Sequence, residues 1–168
     1  MKINVCARAP YLRPGWVKKG LRYLIEAIPD AIEKHPGAHL TIAGLGPEEP
    51  ALRRQAESLA CQKIKFLGAV PQEELPGLYR RAGVFVAPFV EAAGGDQEGL
   101  GLLTVEAVGC GWEVVVSDLP AAGDVIGELR MKTPPADTAT LAARILEMLQ
   151  MPAEDRQRLA NRAGRSFH

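Results

Sequence analysis

The chain has 168 residues, 47% of them apolar, and its 20 Lys and Arg are balanced by 20 Asp and Glu. This length suits a single domain with a real core, and the apolar share excludes a largely disordered chain. Zero net charge removes the electrostatic case for a nucleic-acid partner, which needs a basic excess over a broad face.

The start, Met1-Lys2-Ile3-Asn4-Val5, reads as a strand and not as a signal peptide, because no apolar core or cleavage site follows. No apolar run approaches a membrane span. Cys6, Cys61 and Cys110 are unclustered and odd in number. That speaks against a disulfide framework or a cysteine zinc site, and it suits a reducing cytoplasm.

Strand-like and helix-like runs alternate along the chain. Asn4 to Ala7 is a short strand, followed by a loop holding Arg8, Pro10, Arg13, Pro14 and Gly15. Leu21, Leu24, Ile25, Ile28 and Ile32 recur at helical spacing, and Pro36-Gly37 ends that helix. His39 to Ala43 is a buried strand, Gly44-Leu45-Gly46-Pro47 a turn, and Leu52, Ala56 and Leu59 mark a second helix. Ile64 to Leu67 is a strand. A helix with Leu75, Leu78 and Tyr79 is opened by Pro71, Glu73 and Glu74.

Val84 to Ala87 is a fourth strand, then comes a Gly-rich loop from Glu91 to Gly101 and a helix to about Cys110. Val114 to Val116 is a fifth strand, and Leu129 to Met131 a short sixth. Thr138 caps a helix carrying Leu141, Ile145 and Leu149, and a polar helix runs from Ala153 to Ala163. Alternation of this kind means parallel strands and right-handed crossovers. The expectation is a doubly wound, Rossmann-like α/β sheet, with ligands bound beyond the carboxyl ends of its strands.

The segment from Asp96 to Ala107 is the most informative. Glu98 and Glu106 lie eight positions apart, the first in a Gly-rich loop and the second on a helix. Eight helical residues cover roughly 12 Å, enough to reach two ends of an extended ligand. Between them, free amides near Gly101 and Leu102 open the helix and make a site for phosphate. A carboxylate, a phosphate cradle and a second carboxylate follow one another as hydroxyls, diphosphate and ribose do in a nucleotide sugar.

This spacing resembles the signature of retaining GT-B glycosyltransferases of family four. Other pieces match in order: Lys19-Gly20 before a helix, Gly44-Leu45-Gly46-Pro47, Phe66-Leu67-Gly68, Leu78 to Val84 followed by Ala87-Pro88, and Gly109 to Ser117. The resemblance implies the C-terminal half of a GT-B fold, with residues 1–168 as one nucleotide-sugar-binding domain and the N-terminal acceptor domain absent. It implies transfer of a sugar from a nucleoside-diphosphate sugar (UDP-, GDP- or ADP-linked) to a glycan, lipid or small-molecule acceptor. A glycogen, starch or sucrose-phosphate type of synthase is an alternative of the same fold. A non-catalytic nucleotide-binding or interaction module is another, since fold alone does not fix activity.

By the same resemblance, Glu98 contacts the transferred sugar and Glu106 the ribose hydroxyls. Gly99, Gly101, Leu102 and Leu103 join the donor site, and the backbone of Gly68, Ala69 and Val70 receives the base. Arg8 and Lys19 neutralise the leaving diphosphate, where negative charge grows as the bond breaks. No cofactor and no metal are implied; Glu91, Asp96 and Glu98 have no spaced His beside them.

The chain also departs from the family. Arg8 and Lys19 stand further apart than usual, so Arg13 or Lys18 is an alternative ligand for the diphosphate. Glu113 replaces the usual Pro before the fifth strand, and Phe89 a common Ser. His35 and His39 read as structural, and Cys6 and Cys110 as small buried residues. The domain is expected to bind donor without completing transfer alone, and to expose an apolar patch where its partner docks. Membrane contact stays open through the missing half.

Overall fold

A computed structural model describes residues 3–8, 20–90, 113–120, 132–156 and 158. Six parallel strands form one sheet: β1 (Ile3–Arg8), β2 (Ala38–Ala43), β3 (Ile64–Gly68), β4 (Ala82–Ala87), β5 (Val114–Ser117) and β6 (Lys132–Thr133), in the spatial order β3-β2-β1-β4-β5-β6. Four helices are described: α1 (Leu21–Lys34), α2 (Glu49–Ser58), α3 (Leu75–Arg80) and α4 (Thr138–Gln150).

Position in the sheet explains the composition of each strand. All four residues of β5 are buried, as are the last four of β2 and of β4. Such runs belong to strands covered on both faces. In β3 half-buried and exposed residues alternate, because it lies at one margin of the sheet.

Right-handed crossovers decide which face each helix takes. The path β1 to β2 to β3 runs one way and puts α1 and α2 on one face. The path from β3 back to β4 reverses direction and puts α3 on the other, where Tyr79 meets Phe85 edge-on at 5.5 Å. α1 buries Leu21, Leu24, Ile25, Ala27, Ile28 and Ala31, and α4 packs beside it through Leu141, Ala142, Ile145, Met148 and Leu149. Glu26 of α1 ties the three helices on that face together, accepting from Gln55 at 3.2 Å and from the Thr138 hydroxyl at 3.2 Å.

Two expectations need correction, and a third lies outside the described residues. The sixth strand is Lys132–Thr133, paired with Val116 and Ser117, and residues 129–131 lie outside the described residues. Buried, β-branched Thr133 suits that register, and its carbonyl accepts from the Asp118 amide at 2.7 Å. The cap of α4 is Asp137, not Thr138: its carboxylate accepts from the Thr140 amide at 2.9 Å and the Thr140 hydroxyl at 2.6 Å. Those two bonds hold the Asp137 carboxyl below its ordinary pKa. Finally, Pro71 and Glu73 belong to the approach to α3, which begins only at Leu75, with Pro76 in a first turn where a missing N–H costs no helical bond.

Candidate functional site

The strand order reverses direction between β1 and β4, so the connections leaving these two neighbours part in opposite directions. Their carboxyl ends bound the crevice where doubly wound sheets hold ligands. Arg8 closes β1, in register with Ala43 of β2. Pro88 and Phe89, both buried, follow β4. Val90 comes next, eight positions before Glu98 in the sequence.

The first turn of α1 closes the crevice. Gly20 is buried with φ 60, and a Cβ there would stand 1.8 Å from the Pro88 carbonyl oxygen. The helix therefore starts directly on the backbone that leaves β4, an approach only glycine permits. The Gly20 carbonyl accepts from the amides of Tyr23 and Leu24. Among the described residues no side chain caps α1, and its first turn holds no acid to offset the positive end of the helix.

Gly68 ends β3 with φ 69 and accepts from the Gly44 amide at 2.7 Å, which keeps β2 and β3 joined to their carboxyl ends. Ala69 beyond it is exposed and Val70 half-buried. Neighbouring strands lie about 4.8 Å apart, so the end of β3 is roughly 14 Å from that of β4. Leu45 and Leu67, at 40% and 36% exposure, are large apolar side chains open to solvent near this margin.

An open groove of ≈ 530 Å³ lies on the other side of the crevice, between Arg22 and Tyr23 of α1 and the segments after β4, β5 and β6. Arg22 donates to the Tyr23 hydroxyl at 2.6 Å and stacks over its ring, and that hydrogen bond raises the guanidinium pKa above its ordinary value. Asp118 enters the groove while paired at 3.3 Å with Lys132. Sequence reasoning missed Arg22, Tyr23 and Asp118. The signal for Asp118 was its place directly after a buried strand.

Gly68, Ala69 and Val70 thus fall at a carboxyl-terminal strand end, as expected, and so does the backbone of Arg8. Lys19, with its alternatives Arg13 and Lys18, lies outside the described residues, as do Glu98, Gly99, Gly101, Leu102, Leu103 and Glu106. So do Cys110 and the acidic residues Glu91 and Asp96. Among the described residues no three His, Cys, Asp or Glu side chains group to hold a metal. No helix among them is long and apolar enough to cross a membrane.

A parallel sheet in this order, with a glycine-floored crevice at its reversal, defines a Rossmann-like α/β domain. The family model for Glycosyl transferases group 1 matches residues 11–151, and the chain belongs to that family. It is 37% identical over 135 residues to a phosphatidyl-myo-inositol mannosyltransferase of Mycobacterium leprae, covering 79% of this chain and 34% of that protein. It is 32% identical over 144 residues to a glycogen synthase of Mycobacterium tuberculosis, covering 84% of this chain and 33% of that one. The chain spans about a third of the length of these curated relatives.

The fold resembles the catalytic domain of cholesterol-alpha-glucosyltransferase from Helicobacter pylori with a TM-score of 0.77, at 21% identity over 99% of this chain and 97% of that one. It also resembles Staphylococcus aureus TarM, solved with UDP, with a TM-score of 0.83 at 16% identity over 99% of this chain and 32% of that one. The sheet is thus that of GT-B glycosyltransferases, as the motif order implied.

Proposed function

We propose that this chain is the donor-binding domain of a retaining glycosyltransferase that transfers a sugar from a nucleoside-diphosphate sugar. The observation that carries this reading is the crevice between β1 and β4. Arg8 ends β1 and Lys19 comes after it, while Glu98 and Glu106 come after β4, so both pairs lie along the chain beyond one reversal point. Cations from one side meet the diphosphate, and carboxylates from the other meet hydroxyls. The base lies toward β3, over Gly68, Ala69 and Val70.

In this mechanism Glu98 orients the transferred sugar and Glu106 holds the ribose, with the amides of Gly99, Gly101, Leu102 and Leu103 along the phosphates. Arg8 and Lys19 face the leaving diphosphate, where two fixed cations stabilise the charge that develops and make a metal unnecessary. The acceptor belongs to a second domain, a reading supported by relatives of which this chain matches only 34% and 33%. Action in the cytoplasm fits the free thiol of Cys61.

A relative named for GDP-mannose dependence, 32% identical over 137 residues, makes a guanine nucleotide the first donor to test. The glycogen synthase relative keeps a polysaccharide synthase as the second reading. Titration calorimetry with GDP, UDP and ADP checks both readings. One nucleotide is expected to bind, with Glu106→Ala weakening it on the order of tenfold or more, as for lost hydrogen bonds to a buried ligand. No binding by any of the three, or an unchanged affinity in Glu106→Ala, overturns the proposal.

A further inference from the structure

We infer that the ≈ 530 Å³ groove between α1 and the segments after β4, β5 and β6 is a saccharide subsite that takes one sugar ring of the acceptor, while the second domain holds the remainder. That the saccharide is the acceptor's rests on the donor-site reading above; the groove and its chemistry do not. The groove has the size of a small-molecule site and opens at the carboxyl ends of the strands. It lies on the β5 side of the reversal, and the base is proposed on the β3 side. A donor laid across the crevice from β3 points its sugar toward this groove.

Its polar groups are held in place before any ligand arrives. On α1, Arg22 stacks over the Tyr23 ring and donates to the Tyr23 hydroxyl at 2.6 Å. The hydroxyl proton and the other guanidinium N–H groups remain to donate. After β5, the Asp118 amide donates to the Thr133 carbonyl at 2.7 Å, and Oδ1 of Asp118 pairs with Lys132 at 3.3 Å. Lys132 is itself only 13% exposed, so this tie fixes the carboxylate and leaves Oδ2 to accept. Between these pairs Val90, Leu119, Pro120 and Pro135 give apolar walls. Ala136, also in the groove, stands at φ 59, a left-handed conformation that alanine rarely adopts. Strain of this kind collects at ligand sites.

A neutral sugar ring fits this lining better than an anion or an apolar guest. Its hydroxyls both donate and accept, and its C–H faces pack on proline, leucine and valine. An anion at Arg22 would meet the Asp118 carboxylate in the same groove. Glu26 and Glu48 already act electrostatically on that guanidinium. An apolar guest would strip water from Arg22 and Asp118 without replacing their hydrogen bonds.

Titration of the ¹⁵N-labelled chain with maltotriose and with mannobiose, followed by NMR, tests this. One of the two is expected to saturate with a Kd on the order of a millimolar, moving the amides of Arg22, Tyr23, Asp118 and Ala136. Asp118→Asn is expected to weaken it on the order of tenfold, as for a lost hydrogen bond to a charged group. Should Asp118→Asn not fold because Lys132 loses its partner, Arg22→Gln at an exposed position is expected to show a similar loss. Arg53→Gln, beside the separate ≈ 370 Å³ cavity between α2 and β3, is the control and keeps the wild-type affinity. No saturable shift at the four amides, or wild-type affinity in folded Asp118→Asn and Arg22→Gln, overturns the inference. Displacement of the sugar by GDP, UDP or ADP overturns it too, because the groove would then belong to the donor's own path. A chain that takes the sugar here but binds none of the three nucleotides defeats the donor-site reading and leaves the saccharide subsite standing.

Discussion

Arg156 Nε lies 3.7 Å from Glu113 Oε2, within ion-pairing range but too far for a hydrogen bond. Both side chains are about nine-tenths buried, at 11% and 10% exposure. Oε2 of Glu113 and Nη1 of Arg156 have no hydrogen-bond partner among the described residues. The pair ties the segment after α4 to the entry of β5, at the end of the sheet opposite the crevice. Burial is the larger influence on Glu113 and Arg156 opposes it, and the net effect is a carboxyl pushed up from 4.5 to about 7.

The sign of the pH dependence follows. A carboxyl with a raised pKa binds its proton more tightly in the folded state than in the unfolded one. Between pH 4.5 and about 7 the folded chain therefore carries the extra proton, and stability falls as pH rises through that window. The slope can reach at most about 1.4 kcal/mol per pH unit for one proton. Urea unfolding at several pH values between 5 and 8 checks this, and Glu113→Gln is expected to flatten the curve. A wild-type curve that is flat or rises with pH sinks the assignment.

Removing one partner should cost more than removing both. Arg156→Met strips the one charge among the described residues that favours ionised Glu113, so the titration midpoint moves above about 7 and the loss of stability is greater at pH 8 than at pH 6. An isolated buried charge costs about 3–5 kcal/mol relative to the pair, while an apolar replacement of both is often neutral. The double variant Glu113→Leu with Arg156→Met is therefore expected to be more stable at pH 8 than Arg156→Met alone. A double variant as unstable as the sum of the singles would show that packing, not charge, governs this corner.

Ala60 offers a test of local geometry. It follows the end of α2 with φ 51, a left-handed conformation that helix ends usually give to glycine. Ala60→Gly relieves about 1 kcal/mol or more of steric cost and gives part of it back through the greater freedom of the unfolded chain. A net gain of about 0.5 kcal/mol is expected, read as a higher urea midpoint at unchanged slope. A lower midpoint would mean that the Ala60 methyl packs better than its exposure suggests.

Much of the fold was legible because burial writes itself into composition. The run Val114-Val115-Val116 and the helical spacing of Leu21, Leu24, Ile25 and Ile28 each imply one structure only, and both are found. The cap of α4 was not legible, because Asp137 and Thr138 are both good capping residues and only the geometry separates them. The sixth strand is two residues long, too short for a pattern to mark. Gly20 was read as part of a motif, but its reason, contact with a carbonyl 68 positions away, needs the assembled sheet. Glu113 stood out as a departure at a proline position, and its partner Arg156 could not be paired with it from spacing alone.

Gly68 gives the counterpart to Gly20 at the other end of the proposed donor. With φ 69 it turns the chain out of β3 toward Ala69 and Val70, where the base is proposed to sit, and a Cβ there would meet only Leu45 at 3.6 Å. Space is available, so Gly68→Ala suffers from backbone conformation and not from a clash, at about 1–2 kcal/mol. The expected result is a reorientation of the Gly68–Val70 backbone that weakens nucleoside and nucleoside diphosphate binding by the same factor. Inorganic pyrophosphate, which lacks the base, should compete for the crevice with unchanged affinity. Loss of pyrophosphate competition in a folded Gly68→Ala variant would place the diphosphate, and not the base, beside β3 and reverse the proposed direction of the donor across the sheet.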